Sequence, residues 1–255
     1  MANLHYLELV RELTLREIKS RYKQSILGYA WVILNPFFQM LVMAFVFSKI
    51  LRFPTLGVPY TIFLYAGLLP WNLFANSLVS STNALVSNAS LLKKIYFPRE
   101  IFIVSTTLAK IVDFFLASTV FILFMFIYHL PITWNVLWFI PIFAIQQLFT
   151  YGLSLILASL NLFYRDIQYV LTLIVMVWMY LTPVIYPTEI FPEKYKLIFQ
   201  LNPMAVIINA YRQTILGGGM PNLTSLGIGL LVSLIVTFIG IRIFRKLEGV
   251  FADVV

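Results

Sequence analysis

Long apolar runs, broken at intervals by short polar clusters, organise this chain. Six of them reach the length a membrane-crossing helix needs, about 20 residues: Gly28 to Phe47, Tyr60 to Ser80, Pro98 to Tyr128, Trp138 to Phe163, Ile167 to Tyr186 and Leu226 to Phe244. Their interiors are not uniformly oily. Asn35, Pro36 and Gln39 interrupt the first, and Pro36, which removes a backbone hydrogen bond, predicts a kink. Pro70, Asn72, Asn76 and Ser77 dilute the second, so it is expected to be surrounded by protein rather than lipid. The third is longer than the bilayer requires. Its first turns, with Lys110 and Asp113 spaced to neutralise each other, are therefore expected in the interface. Gln146 and Gln147 lie in the fourth run, and Thr182-Pro183 marks the end of the fifth. The pattern predicts an all-α integral membrane protein with six transmembrane helices.

Three shorter stretches follow a different rule. Residues 1–24 form an amphipathic interface helix: Tyr6, Leu7, Leu9, Val10 and Leu13 share one helical face, opposite Glu8, Arg11 and Glu12. Past Leu13 the apolar stripe moves round to Leu15, Ile18 and Tyr22, which predicts a break near Thr14. Glu12 with Arg16 and Glu17 with Arg21 are i,i+4 pairs of favourable polarity. The basic residues of this helix are expected toward the headgroups. Between the fifth and sixth runs, Tyr195 to Leu201 and Met204 to Leu216 are apolar but too short to cross, and Asn202-Pro203 separates them. Residues 189–219 thus read as a re-entrant outer helix pair, or as a soluble outer hairpin; re-entrant backbone needs protein around it. The third stretch, Leu91-Leu92-Lys93-Lys94-Ile95-Tyr96-Phe97-Pro98-Arg99-Glu100, is an apolar tip flanked by cations. It suits either a knob that docks on another protein or a segment lying on headgroups.

Composition agrees with the pattern: 61% of residues are hydrophobic and 11% charged, where a soluble domain carries about 25% charged. The net charge of +8 reads as topology rather than nucleic-acid binding, because the basic residues flank the apolar runs. With both termini on one side, Lys49, Arg52, Lys194, Lys196 and Arg212 fall outside and the other thirteen Lys and Arg inside. The expected orientation has both termini cytosolic. Residues 8 to 23 are too charged for a cleavable signal peptide, and the absence of Cys removes disulfides and thiolate metal sites. Of the ten carboxylates only Asp113 approaches the bilayer, so an ion-coupled relay has no parts. Gly217-Gly218-Gly219-Met220 lacks the Lys-Ser/Thr of a phosphate-binding loop. His5 and His129 lie on opposite sides of the membrane, leaving no metal or His-based catalytic site. No internal repeat suggests an inverted-repeat transporter. An export function built on this chain must draw its energy from a partner.

Arg21-Tyr22-Lys23-Gln24-Ser25, Leu27-Gly28, Trp31 and Pro36 open an ordered set of motifs. Leu69-Pro70-Trp71, the Leu91-to-Glu100 stretch and Phe163-Tyr164-Arg165-Asp166-Ile167 continue it, and Thr182-Pro183-Val184-Ile185-Tyr186 and Asn202-Pro203 with Tyr211-Arg212 complete it. Nearly the whole chain thereby resembles the transmembrane subunit of type 2 ABC transporters, in the subgroup that exports polysaccharides such as O-antigen, teichoic acid and capsule polymers. The alternatives are a type 2 exporter of drugs or lipids and a membrane-bound glycosyl- or acyltransferase; for the latter the loops hold no carboxylate or His cluster.

The resemblance implies a homodimer in a bacterial inner membrane, enclosing a path at its interface. Two partner ATPase subunits would bind ATP and Mg, and this chain would carry no cofactor, no catalytic residue and no nucleic acid. Residues 88–100 would be the coupling helix, with Leu92, Lys93, Lys94, Ile95, Tyr96, Phe97, Pro98 and Arg99 at the ATPase, joined by Arg165 and Asp166. Tyr22, Lys23, Gly28 and Tyr29 would form an inner gate where the interface helix of residues 1–24 meets the six-span domain of residues 25–255. Asn202, Pro203, Tyr211 and Arg212 would form the outer gate. Trp31, Phe37, Phe38, Trp71, Phe74, Trp178 and Tyr180, close to Asn35 and other amides, are the candidate substrate path, because flat rings and amides suit a sliding sugar chain. Trp134, Trp138 and Tyr128 fit interfacial belts instead.

Overall fold

The computed structural model describes residues 2–22, 25–53, 57–94, 98–190, 192 and 196–254. The described residues form helices joined by turns and short extended links, with no strand among them. Five helical stretches are long and apolar enough to cross a membrane: Ala30–Ile50, Tyr60–Thr82, Ile101–Ile127, Trp134–Phe163 and Leu223–Glu248. The first comprises α2 (Ala30–Ala44) and a π-helical end, Phe45–Ile50. The second and third are α3 and α6. A 3-10 turn, Trp134–Trp138, leads into α7 (Phe139–Phe163), and Leu223–Glu248 is α11. The remaining apolar run forms α8, Ile167–Leu181, of 15 residues. Six hydrophobic helices thus match the six runs.

α8 is shorter than the run that predicts it. Thr182 takes an extended conformation (φ −103°, ψ 139°), as a residue before proline must, and its hydroxyl donates to the Trp178 carbonyl at 2.8 Å. The helix stops five residues before Tyr186.

α3 is the hub. It packs against α2, α6, α7, α8 and α10, and 78% of its apolar window is buried, the protein-lined setting expected from its polar interruptions. α7 and α11 cross at glycine. A Cβ on Gly152 would meet the Thr237 Cα at 2.6 Å, and one on Gly240 would strike the Gly152 carbonyl. The Thr237 hydroxyl donates to Leu148 O at 2.8 Å across the same crossing. Small residues of this kind let membrane helices approach closely.

The first helix, α1 (Ala2–Tyr22), is continuous, so the break expected near Thr14 does not occur. α1 runs alongside the start of α6. The Thr14 hydroxyl reaches the carbonyls of Val10 (2.7 Å) and Ser105 (3.4 Å), and Arg21 meets Asp113 seven residues further on. The shifting stripe follows one neighbouring helix rather than a flat interface.

Val10 and Leu13 join Leu85, Leu92, Phe102, Leu162, Phe244 and Phe251 in a core at one end of the bundle. α1, the short helices α4 (Ala84–Ser87) and α5 (Ala89–Lys94), and the C-terminal α12 (Phe251–Val254) therefore share that end. At the other end, Thr133 and Asn135 donate to Gly218 O at 3.3 and 2.6 Å, beside α9 (Lys196–Leu201) and α10 (Pro203–Ile215). At about 20 Å, α10 is too short to cross. It is nevertheless buried from Pro203 to Ile208 between α3, α7 and α11.

Candidate functional site

A cavity of about 480 Å³ opens between α2, α3 and α6. Trp31, Asn35 and Gln39 line it from α2, Asn72 and Asn76 from α3, and Lys110 and Asp113 from α6. The spacing of Trp31, Asn35 and Gln39, four residues apart, places them on one stripe of α2. Asn72 Nδ2 donates to Gln39 Oε1 at 3.0 Å, which fixes one amide pair. Trp31 is 41% exposed, and Asn35 and Asn76 are also exposed. The cavity therefore presents an indole face and free amide groups on an uncovered side of the protein. Amides both donate and accept, and so can exchange hydrogen bonds with hydroxyls without a fixed charge.

The cavity's two charged residues, Lys110 and Asp113, belong to a cluster of four charges. Arg21 Nη1 lies 2.6 Å from Asp113 Oδ2 and Nη2 3.2 Å from Glu17 Oε1; Lys110 Nζ stands 4.0 Å from Asp113. The Glu17–Arg21 pair is the one its spacing predicts, whereas Arg16 donates to Asn88 Oδ1. Arg21 points inward to Asp113, correcting its expected position at the headgroups, and displaces Lys110 as the closest partner of that carboxylate. A partly buried carboxylate on α6 needs compensation, and a guanidinium from α1 supplies it with a hydrogen bond as well as charge.

The aromatic candidates divide. Trp71 (2% exposed) and Phe74 (0%) are sealed in the core. Phe74 stacks on Phe149 at 5.7 Å and meets Trp178 edge-on at 5.2 Å. Their surface is consumed by packing, so the expectation that they line a path is corrected. Trp178 is half-buried and its indole donates to Asn202 Oδ1 at 3.2 Å; it anchors rather than lines. Phe37 is partly covered and stacks on Phe124 at 6.4 Å. Phe38 and Tyr180 are exposed.

At the proposed inner gate, Gly28 has φ +50°, a left-handed conformation that glycine adopts freely, and Tyr29 is exposed. The Tyr22 side chain and Lys23 lie outside the described residues. So do Ile95, Tyr96, Phe97 and the Lys94 side chain, the tip of the coupling stretch. Its flanks are visible. Leu92 is buried and Lys93 exposed. Pro98, expected in the first turn of the next helix, precedes it, since α6 begins at Ile101. Arg99 is engaged within the chain: its backbone N–H donates to Glu248 Oε1 at 3.2 Å, its guanidinium to Glu248 O, and it lies over the Phe251 ring. Arg165 and Asp166 are exposed at the same end. Asn161, which donates to Thr82 O and accepts from Gln168 N, holds the turn that presents them.

At the far end the outer-gate candidates are clamps. Asn202 caps α10, accepting from Met204 N at 3.1 Å and donating to Thr182 Oγ1 at 2.9 Å, with Pro203 in the first turn where proline is favoured. Tyr211 donates to Gln146 Oε1 at 3.1 Å, and Gln146 Nε2 donates to Pro70 O at 2.8 Å. Arg212, expected at the outer surface, is buried. It donates to the carbonyls of Phe63, Pro183 and Val184 and lies 3.7 Å from the Phe63 ring centroid. Gly67 makes room for it, since a Cβ there would sit 2.5 Å from its Nη2. Gln146, Gly67 and Asn161 are the residues the sequence reading missed as parts of these sites. An arginine inside an otherwise apolar half-helix was the available signal, because such a cation must find buried acceptors.

The family model of ABC-2 type transporters matches residues 8–216. The O-antigen export system permease protein RfbA of Klebsiella pneumoniae is 36% identical over 255 residues, covering 99% of this chain and 97% of its own. The protein of that name from Myxococcus xanthus is 30% identical over 250 residues, 97% of this chain and 95% of its own. The polysialic acid transport protein KpsM of Escherichia coli is 24% identical over 245 residues, 94% and 93%.

Proposed function

From the premise that this chain belongs to the ABC-2 type transporter family, as a multi-pass membrane permease, we propose that it is the transmembrane subunit of an ATP-driven exporter of a polysaccharide. Two copies enclose the path, and separate ATPase subunits supply the energy by hydrolysing ATP. The substrate is a carrier-linked glycan that enters from the cytosolic side of a bacterial inner membrane. The end that carries α1, α5 and α12 faces the cytosol, where Leu92 to Arg99 docks the ATPase beside Arg165 and Asp166.

The observation that carries this reading is the cavity between α2, α3 and α6. Trp31 and the amides of Asn35 and Asn76 belong to helices long and apolar enough to cross a membrane, on an uncovered side of the protein. Amides and a flat ring offer a moving sugar chain many similar, weak contacts. Phe38 and Tyr180 are exposed outside this cavity, and Trp71, Phe74 and Trp178 pack against one another in the core. Trp31→Ala is expected to lower polymer export several-fold while assembly and basal ATP hydrolysis stay near normal. Trp71→Ala should instead reduce the amount of folded protein, since emptying a buried indole site costs about 3 kcal/mol or more. Surface polymer, complex yield and ATPase rate measured side by side separate the two. Normal export by Trp31→Ala would remove this cavity from the path.

A further inference from the structure

A second polar pocket lies at the opposite end of the bundle. It has a volume of about 350 Å³ and is bounded by the Thr188–Ile190 turn, α9, α10 and the start of α11. Four side-chain amides converge on it from three elements: Gln200 on α9, Asn209 and Gln213 on α10, and Asn222 at the cap of α11. Asn209 and Gln213 share a helical face, being four residues apart. The Phe199 ring forms one wall and the Thr188 hydroxyl another.

The hydrogen bonds show what is left over. Gln213 Oε1 accepts from Asn222 N and Asn222 Oδ1 accepts from Ser225 N, both at 3.0 Å. Both NH₂ groups therefore remain available. No hydrogen bond joins the side chain of Asn209 or Gln200 to another described residue, and both residues line the pocket. Its described lining includes no Lys, Arg, Asp or Glu. A smaller cavity of about 230 Å³ shares Thr188, Asn209 and Gln213 and reaches Arg212, but that guanidinium is turned onto backbone carbonyls. Neutral donors and acceptors suit a hydroxyl-rich ligand, and the described lining brings no cation to the α11 N-terminus that borders the pocket, as a phosphate would call for. The volume is at the lower end for ligand sites and fits a short sugar segment.

We infer that this pocket is a saccharide subsite on the exit side, which holds part of the polymer as it leaves the inserted helix pair. The assignment rests on the polysaccharide reading above. The same chemistry could come from a glycolipid headgroup, and the test separates the two sources.

Ser225→Cys and Thr188→Cys place thiols on two walls of this Cys-free chain by near-isosteric swaps, with Leu223→Cys as an exposed control outside the pocket. A membrane-impermeant maleimide is applied to cells that make the polymer and to cells in which its synthesis is blocked. Labelling of the two pocket thiols should slow several-fold only when polymer is made, while Leu223→Cys reacts alike in both. Adding Asn209→Leu or Gln200→Leu should abolish most of that protection. Equal labelling with and without polymer, whether fast or slow, overturns the inference; uniformly slow labelling would point to a headgroup that is always present. Should deletion of the chain leave surface polymer undiminished, the exporter reading fails. If export requires the chain but the pocket thiols are never protected, only this subsite fails.

Discussion

Arg21 and Asp113 meet at 2.6 Å with side chains only 17% and 20% exposed. Removing one member of such a pair strands the other charge, at a cost of roughly 3 kcal/mol. Asp113→Leu should therefore lower the melting temperature of the purified transporter and speed proteolysis between α1 and α2. Arg21→Met combined with Asp113→Leu should recover part of the loss, because the guanidinium stranded by the first change is gone while Lys110 still lacks its carboxylate. A double variant as labile as the single one would show that the pair positions α1 through specific bonding rather than by balancing charge. The sequence exposed Asp113 as the one carboxylate near the bilayer and paired it with Lys110, which does stand 4.0 Å away, but gave no sign of Arg21, the closer partner. Spacing along a helix reveals i,i+3 neighbours such as Lys110 and cannot report a guanidinium arriving from another element.

Between helices, glycine sets the closest approach. At the crossing of α7 and α11 a side chain on Gly152 or Gly240 would overlap backbone. Gly240→Leu is expected to remove most folded protein from membranes, while Gly227→Leu on the same helix, with open space at its Cβ, should be tolerated. Membrane yield and thermal aggregation measure both. The helices themselves were legible in the hydrophobic pattern, and so was the division of the inserted pair at Asn202-Pro203, since asparagine caps and proline starts a helix. The pattern overreached where tertiary contacts compete with it. It carried the fifth apolar run on to Tyr186, although Thr182-Pro183 marked where the helix ends, and it broke α1 where α6 in fact carries the moving stripe. The glycine crossing left no mark, because Gly152 and Gly240 lie 88 positions apart in sequence and become a pair only when the bundle closes.

For the whole molecule, one end is knit into a unit by the core of Val10, Leu92, Phe102, Leu162, Phe244 and Phe251. Force applied at α5 would pass directly into α1, α6, α7 and α12. Tyr96→Ala with Phe97→Ala should release the ATPase from the purified complex, or leave it hydrolysing ATP without export, as truncating interface anchors costs about 2 kcal/mol or more. Co-purification and export assays decide, and normal values of both would move the docking surface elsewhere. Candidate path residues were legible as a class and not individually. Trp31 and Trp71 both read as indoles near amides inside apolar runs, and only burial separates the one that faces outward from the one that holds the core together.

The fifth crossing has a consequence for the lipid itself. With 15 residues, α8 spans about 22 Å against hydrocarbon about 30 Å thick, and its outward side chains Tyr169, Leu173, Val177 and Leu181 are exposed along that length. Such hydrophobic mismatch is relieved by a locally thinned bilayer. Where α8 meets lipid the membrane should be dimpled, which shortens the wall of the path that two copies enclose. Export by the reconstituted transporter should then be fastest in short-chain lipids and fall as the acyl chains lengthen, because each added increment of thickness must be compressed again around this one short helix.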